Sequence, residues 1–170
     1  MCSQQLSVTG ELKCLCARCA ELRGSCCHNK DILLTRGDLM RISQFTGDFS
    51  FHELRPPFDP AYLDQDDDPN WNTYTVNENG ERRVLKVDSG NTCLFLTETG
   101  CRLPYEVRPL VCRLFPFSYN EHGLLAVEDE CPVELLAPGE NLLECLEMDT
   151  EKARRWHELL YRELRDQCAQ

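Results

Sequence analysis

Cysteine supplies the chemistry that stands out in this chain. Cys16 and Cys19 are separated by two residues, and the adjacent pair Cys26 and Cys27 follows after six more. Thiolate is the metal-binding form of cysteine, and two thiols at this spacing can turn both sulfurs to one side while backbone amides point toward them. Cys16 and Cys19 can therefore chelate one ion. Neighbouring side chains of an extended backbone point to opposite faces, so Cys26 and Cys27 do not both suit one small mononuclear ion. Either they serve two sites, or one of them serves a cluster.

Cys93, Cys101, Cys112 and Cys131 come much later in the chain. Together with the first four they make eight candidate ligands, enough for two four-thiolate sites or for one site with reserves. Any metal shared between the groups ties the start of the chain to its middle and is part of the fold. Cys2, Cys14, Cys145 and Cys168 read as spare thiols. The competing reading for any single cysteine is a small buried hydrophobe. His28 could replace a thiolate at zinc, but with thiols in surplus it reads as a histidine outside the ligand set.

Lys13, Arg18, Arg23, Lys30, Arg102, Arg108 and Arg113 accompany the thiols in an otherwise acidic chain and could offset thiolate charge. Arg108 and Arg113 are the candidates to act on a bound cofactor from just outside the ligands, or to orient an anion. The plainer reading pairs them with Glu106 or with carbonyl oxygens. Charge does not choose the metal, because zinc and a four-iron cluster are similarly negative when bound by four thiolates and both accept nearby donors.

A chain of 170 residues can bury one real core, and one compact domain is expected. The first residues lack the basic head and apolar stretch of a secretory leader, which favours a cytoplasmic setting. In a reducing compartment twelve cysteines read as metal ligation rather than as a disulfide scaffold. A net charge of −11 opposes nucleic-acid binding. No apolar run approaches the roughly 20 residues that cross a bilayer. The acidic run Asp64 to Asp68 lacks the ligand spacing and glycine of a calcium loop and reads as a solvated loop.

The elements that must position the thiols can be read in outline. Residues 1–13 form a loose lead-in, 14–137 the cysteine-cluster domain, and 138–170 a helical segment packed on the same domain. Thr35, followed three residues later by Asp38, predicts a helix start, and Gly47 its end after about Phe45. The prolines from Pro56 to Pro69 predict an extended loop. Three β-hairpins are expected: Thr73–Val76 with Arg83–Val87, Cys93–Thr97 with Cys101–Leu103, and Phe115–Tyr119 with Leu124–Val127. The second brings Cys93 and Cys101 together. Pro109 suits the first position of a short helical turn that carries Cys112.

Leu142, Leu146, Ala153, Trp156, Leu160 and Leu164 recur at helical spacing, as one long helix or two with a break near Asp149 and Thr150. That stripe reads as core, with a docking surface for a protein partner as the alternative. The fold class is α+β: a small metal-stapled domain with antiparallel hairpins, a short N-terminal helix and a long C-terminal helical segment.

The order of these pieces resembles the YkgJ-type cysteine-cluster proteins, the CxxCxxCC family of zinc- or iron-chelating domains, over about Cys16 to Pro132. The opening matches at Cys16, Cys19, Cys26 and Cys27. The second block matches at Cys93-Leu-Phe-Leu, Cys101, Tyr105, Arg108-Pro109, Cys112-Arg113 and Phe115-Pro116, with Cys131 at the place of a later cysteine. The spacer Ala20 to Ser25 is about four residues longer than in the family, and Pro104 adds one residue before Tyr105.

The resemblance implies metal binding. An iron-sulfur cluster, of the 4Fe-4S type, is weighed ahead of zinc, in electron transfer, metal handling or an accessory subunit. Some larger relatives are flagellin lysine methylases, so an iron-dependent modification enzyme is an alternative. No glycine motif for S-adenosylmethionine, no ferredoxin spacing, no phosphate loop and no paired-histidine protease motif is present.

Overall fold

Ile32, Leu33 and Leu34 are all buried, on two different faces. Side chains alternate along an extended backbone. Ile32 and Leu34 accordingly enter one core with Ile42, Phe51, Leu85, Phe95 and Leu103, while Leu33 enters another with Leu110, Leu114, Trp156, Leu160 and Leu164. The strand Arg82–Leu85 keeps this stretch extended: Leu34 N–H donates to the Arg83 carbonyl at 3.0 Å, and Leu85 N–H to the Ile32 carbonyl at 2.9 Å.

The computed structural model describes residues 5–6, 12–13, 15–21, 26–63, 66–128, 131 and 133–168. Cys2 and Cys14 lie outside them. In chain order the elements are β1 (Gln5–Leu6), β2 (Leu12–Lys13), α1 (Leu15–Ala20), α2 (Arg36–Thr46), β3 (His52–Arg55), α3 (Trp71–Thr75), β4 (Arg82–Leu85), β5 (Leu96–Thr97), β6 (Gly100–Cys101), α4 (Leu110–Leu114), β7 (Phe117–Asn120), β8 (Gly123–Val127), α5 (Leu142–Cys145) and α6 (Thr150–Cys168). The strands pair antiparallel as β1 with β2, β3 with β4, β5 with β6, and β7 with β8. The chain is α+β.

Helix α2 starts as the sequence predicts. The Thr35 hydroxyl accepts from Asp38 N–H and the Asp38 carboxylate accepts from Thr35 N–H, both at 3.0 Å. Gly47, at φ 83°, ends the helix in the left-handed conformation that glycine adopts without strain. The C-terminal pattern resolves into two helices. Asn141 caps α5, with its side-chain oxygen 3.0 Å from Leu143 N, and Asp149 accepts from Lys152 N–H at 2.7 Å at the start of α6. Ala153, Trp156, Leu160 and Leu164 are buried against α4 and α3, so the apolar stripe of α6 is core.

Two expectations are corrected. The hairpin predicted from Thr73 to Val87 does not form: Trp71–Thr75 is helical, and β4 pairs instead with β3, from His52 opposite Leu85 to Arg55 opposite Arg82. Trp71 and Tyr74, three residues apart, both pack against the α6 core. Burying those two rings on one helical face outweighs the strand preference of the segment. The turn at Asn77–Gly80 survives, closed by Gly80 N–H to the Asn77 carbonyl at 3.0 Å.

The acidic run is also only partly solvated. Asp66 and Asp67 are exposed, but Asp68 is buried and accepts the Tyr161 hydroxyl of α6. The other two predicted hairpins form, β5 with β6 in a shortened version and β7 with β8 drawn closer to its turn. No described helix is long and apolar enough to cross a membrane.

Candidate metal centre

Different local devices hold the candidate ligands from Cys16 to Cys112. Cys16 and Cys19 ride on α1, anchored by Arg18 between them in sequence: this buried guanidinium donates to the Leu135 carbonyl and lies 3.7 Å from Glu140. The Cys26–Cys27 turn is tied to the second group directly, because Cys93 N–H donates to the Cys27 carbonyl at 2.8 Å and His28 pairs with Thr92. Cys101 lies on β6, opposite Leu96. Leu96 N–H in turn donates to the Cys93 carbonyl at 3.0 Å, which closes a turn from Cys93 into β5.

Cys112 is fixed by a longer chain of contacts. A five-residue helix cannot hold itself in water, and Pro109, at the N-cap of α4, offers no side-chain cap. Asp38 supplies one from α2: its carboxylate accepts Leu110 N–H at 3.1 Å and also pairs with Arg41 at 2.7 Å. Leu110 and Leu114 are fully buried in the α6 core. Cys112 therefore faces away from that core on a helix whose start and inner face are both pinned.

All eight candidate cysteines come to one place. Cys16, Cys19, Cys26, Cys27, Cys93, Cys101, Cys112 and Cys131 line a single cavity of about 570 Å³. Cys93 and Cys131 are buried, Cys26 is exposed and marks the opening, and the others are half-buried. Cys145 and Cys168 do not line it. Neither does His28.

The thiols act on one another. The Cys26 side chain bonds Cys27 and pushes its pKa up, helped by burial and by Cys112 and Cys93. Burial pushes Cys19 up to about 11, with Cys26 adding to it. Cys93 is likewise pushed up to about 11, first by burial and then by Cys101 and Cys26. Burial raises Cys112 as well, assisted by Cys26, Cys93 and Cys101. Several thiolates in one partly dry cavity repel, and a bound cation is what such a set accommodates. Cys26 links Cys19 to Cys27, Cys93 and Cys112, and Cys101 closes onto the last two. The electrostatic connections join these six residues into one set.

The donor chemistry fits a thiophilic metal: sulfur ligands, basic residues nearby and an apolar surround that includes Ile32, Leu85, Phe95 and Leu103. Among the described residues no three His, Cys, Asp or Glu side chains already close to the geometry of a single ion. A family model, CxxCxxCC, described as "Putative zinc- or iron-chelating domain", matches residues 15–132. The chain belongs to the CxxCxxCC family. It is a metal-chelating domain whose metal, by the family's description, is zinc or iron. No curated protein and no solved structure matched the chain.

The two arginines part company. Arg108 lines the cavity; its Nε donates to the Leu103 carbonyl at 3.1 Å, and its guanidinium lies 5.2 Å from the centre of the Tyr105 ring. Arg113 is buried and is not among the lining residues. Its Nε donates to the Arg108 carbonyl at 2.8 Å and its Nη1 lies 3.5 Å from Glu106, so it fastens the Tyr105–Arg108 turn to α4. Burial, with Arg41 nearby, lowers the Arg113 pKa. Lys30 is also on the cavity wall.

Sequence reasoning missed three contributors. Tyr62, from the proline-rich loop, lines the cavity, with the Arg82 guanidinium 4.6 Å from its ring centre. Asp31, also on the wall, holds that loop by accepting Phe58 N–H at 2.9 Å while pairing with Arg55 at 2.5 Å and Arg82 at 2.9 Å. Asp38 was legible as half of a capping box, but its second partner, Leu110, was not. The proline composition predicts an extended loop there and nothing about which residue faces a site.

Proposed function

We propose that the cavity holds an iron-sulfur centre, of the 4Fe-4S type, and that the protein works in one-electron transfer. The observation that carries this reading is the gathering of eight cysteines around one cavity of about 570 Å³. A lone zinc ion draws four ligands to about 2.3 Å of one point when they are sulfur, whereas a 4Fe-4S cluster takes its four thiolates on four separate irons. An inorganic cluster spreads its ligands over a larger body, which suits a cavity bordered by α1, the Cys26–Cys27 turn, β6 and α4.

When bound, the cluster supplies a reversible one-electron couple. The chain's own residues do the rest. Phe95, Leu103 and Leu85 keep water from the buried side. Cys26 lies at the surface, and Leu94, 45% exposed beside Cys93, offers an apolar edge for a redox partner. The cytoplasm suits reduced thiols. The four thiolates that such a cluster takes are drawn from Cys16, Cys19, Cys26, Cys27, Cys93, Cys101, Cys112 and Cys131, with Arg108 outside the ligand set.

Anaerobic purification followed by iron, sulfide and zinc analysis and a visible spectrum tests the proposal. Broad brown absorbance that bleaches on reduction, with iron and acid-labile sulfide in equal amounts, is expected. Colourless protein with stoichiometric zinc sinks it and makes the domain a zinc-binding structural or interaction module.

A further inference from the structure

Arg108 brings a positive charge to the same wall that the thiols line. Arg108 is unusually well fixed for a half-buried arginine. One face lies against Tyr105, Nε is spent on the Leu103 carbonyl, and its own carbonyl is gripped by Arg113 at 2.8 Å. Among the described residues neither Nη has a hydrogen-bond partner. A fork held this way, with its terminal nitrogens uncommitted, has already lost the freedom that binding an anion would otherwise cost.

We propose that Arg108 forms the anion-binding end of the cavity and takes a small organic carboxylate beside the metal centre. This rests on the reading that the thiols hold metal. Three observations choose carboxylate over phosphate. Arg108 is the fork-shaped donor on the wall, which matches a planar carboxylate; Glu128 there, in a chain of net charge −11, offsets the charge of Lys30 and opposes a dianion; and the apolar wall, with Phe95, Phe115, Phe117 and Val111, can take a hydrocarbon body. A planar carboxylate meets the two Nη groups in parallel, the geometry at which arginine is strongest.

Benzoate and inorganic phosphate are the probes, titrated calorimetrically into the protein as purified, with metal content measured on the same samples. Saturable benzoate binding to wild type is expected, with phosphate at least tenfold weaker. Arg108→Gln removes the fork and should weaken benzoate roughly ten- to hundred-fold with metal content unchanged. Arg108→Lys keeps the charge without the fork and should fall between the two; it carries the test if Arg108→Gln does not fold.

Equal benzoate affinity in wild type and Arg108→Gln overturns the proposal. So does phosphate binding as tight as benzoate, or loss of metal from Arg108→Gln in parallel with loss of binding. A wild type that holds no metal fails the metal reading instead, and the benzoate titration still reports on Arg108.

Discussion

Replacing Asp38 with alanine should loosen the fold and the metal centre together. Its carboxylate is fully enclosed and satisfies three donors: Thr35 N–H at 3.0 Å, Leu110 N–H at 3.1 Å and Arg41 at 2.7 Å. Alanine leaves two backbone N–H groups unsatisfied, each costing about 1–3 kcal/mol. Arg41 keeps Glu163, at 2.6 and 3.0 Å, so its charge is not stranded. Burial pushes the Asp38 pKa up against the pull of Arg41 and Thr35, which measures the desolvation that alanine relieves. The balance is a loss of about 3–5 kcal/mol, a large part of an ordinary domain's stability. For a chain of this size that is a fall in Tm of roughly 6–20 °C. Asp38→Asn retains an acceptor oxygen for Leu110 and should lose about 1–3 kcal/mol. Urea unfolding followed by circular dichroism gives the stability. Metal stoichiometry at 25 °C gives the second readout, because freeing Leu110 N–H frees the helix that carries Cys112. A Asp38→Ala protein within about 1 kcal/mol of wild type, or one less damaged than Asp38→Asn, would refute the placing of Asp38 at this junction.

Cys112→Ser should purify with clearly less metal than wild type, whereas Cys145→Ser, whose residue is buried in α5 and does not line the cavity, should keep wild-type metal content; equal losses in both would remove Cys112 from the ligand set. Asp68→Asn tests a pH effect. Burial raises the Asp68 pKa, so the folded state holds the proton more tightly, and the associated stability is complete below the unfolded value of about 3.9 and lost as pH rises through the folded one. The fall in wild-type Tm across that window should therefore flatten in Asp68→Asn, and an unchanged slope would assign it to other groups. Chelation at neutral pH should lower the urea midpoint and expose the α1 region to trypsin at Arg18, now buried against Leu135 and Glu140; a protease pattern identical with and without metal would separate the centre from the fold.

Features set by neighbours in sequence were legible: the Thr35–Asp38 box, the Gly47 stop, the α6 stripe, the turn before Cys101 and the two groups of cysteines. Features set by distant partners were not. Trp71 and Tyr74 carry strand-forming neighbours, and only the presence of α6 makes a helix the better way to bury both rings. β4 has suitable sequence for a strand, but nothing local says that His52–Arg55 is its partner. Asp68 looks like its acidic neighbours until Tyr161 is placed over it. The same holds inside the site, where Arg108 and Arg113 are equivalent by proximity to cysteine, and only the turn between them puts one on the cavity wall and the other behind it.

Metal and packing meet on α4. Leu110 and Leu114 face the α6 core, Val111 touches both cores, and Cys112 reaches the cavity. The first group of cysteines has fewer such supports: α1 is six residues long and leans on the β5–β6 turn and on Leu135 through Arg18. A short helix of this kind gains little from propensity. A cross-link between it and the Cys93–Cys131 segment, however, closes a long loop and restricts the unfolded chain by an amount on the order of 4 kcal/mol in the chain-entropy account. The two halves of the centre therefore differ physically. The Cys93, Cys101 and Cys112 side is shaped by packing, and the Cys26–Cys27 turn is tied to it through the Cys93 N–H and Thr92; under the proposed metal reading it is α1, with Cys16 and Cys19, that gains most of its hold on the domain from metal.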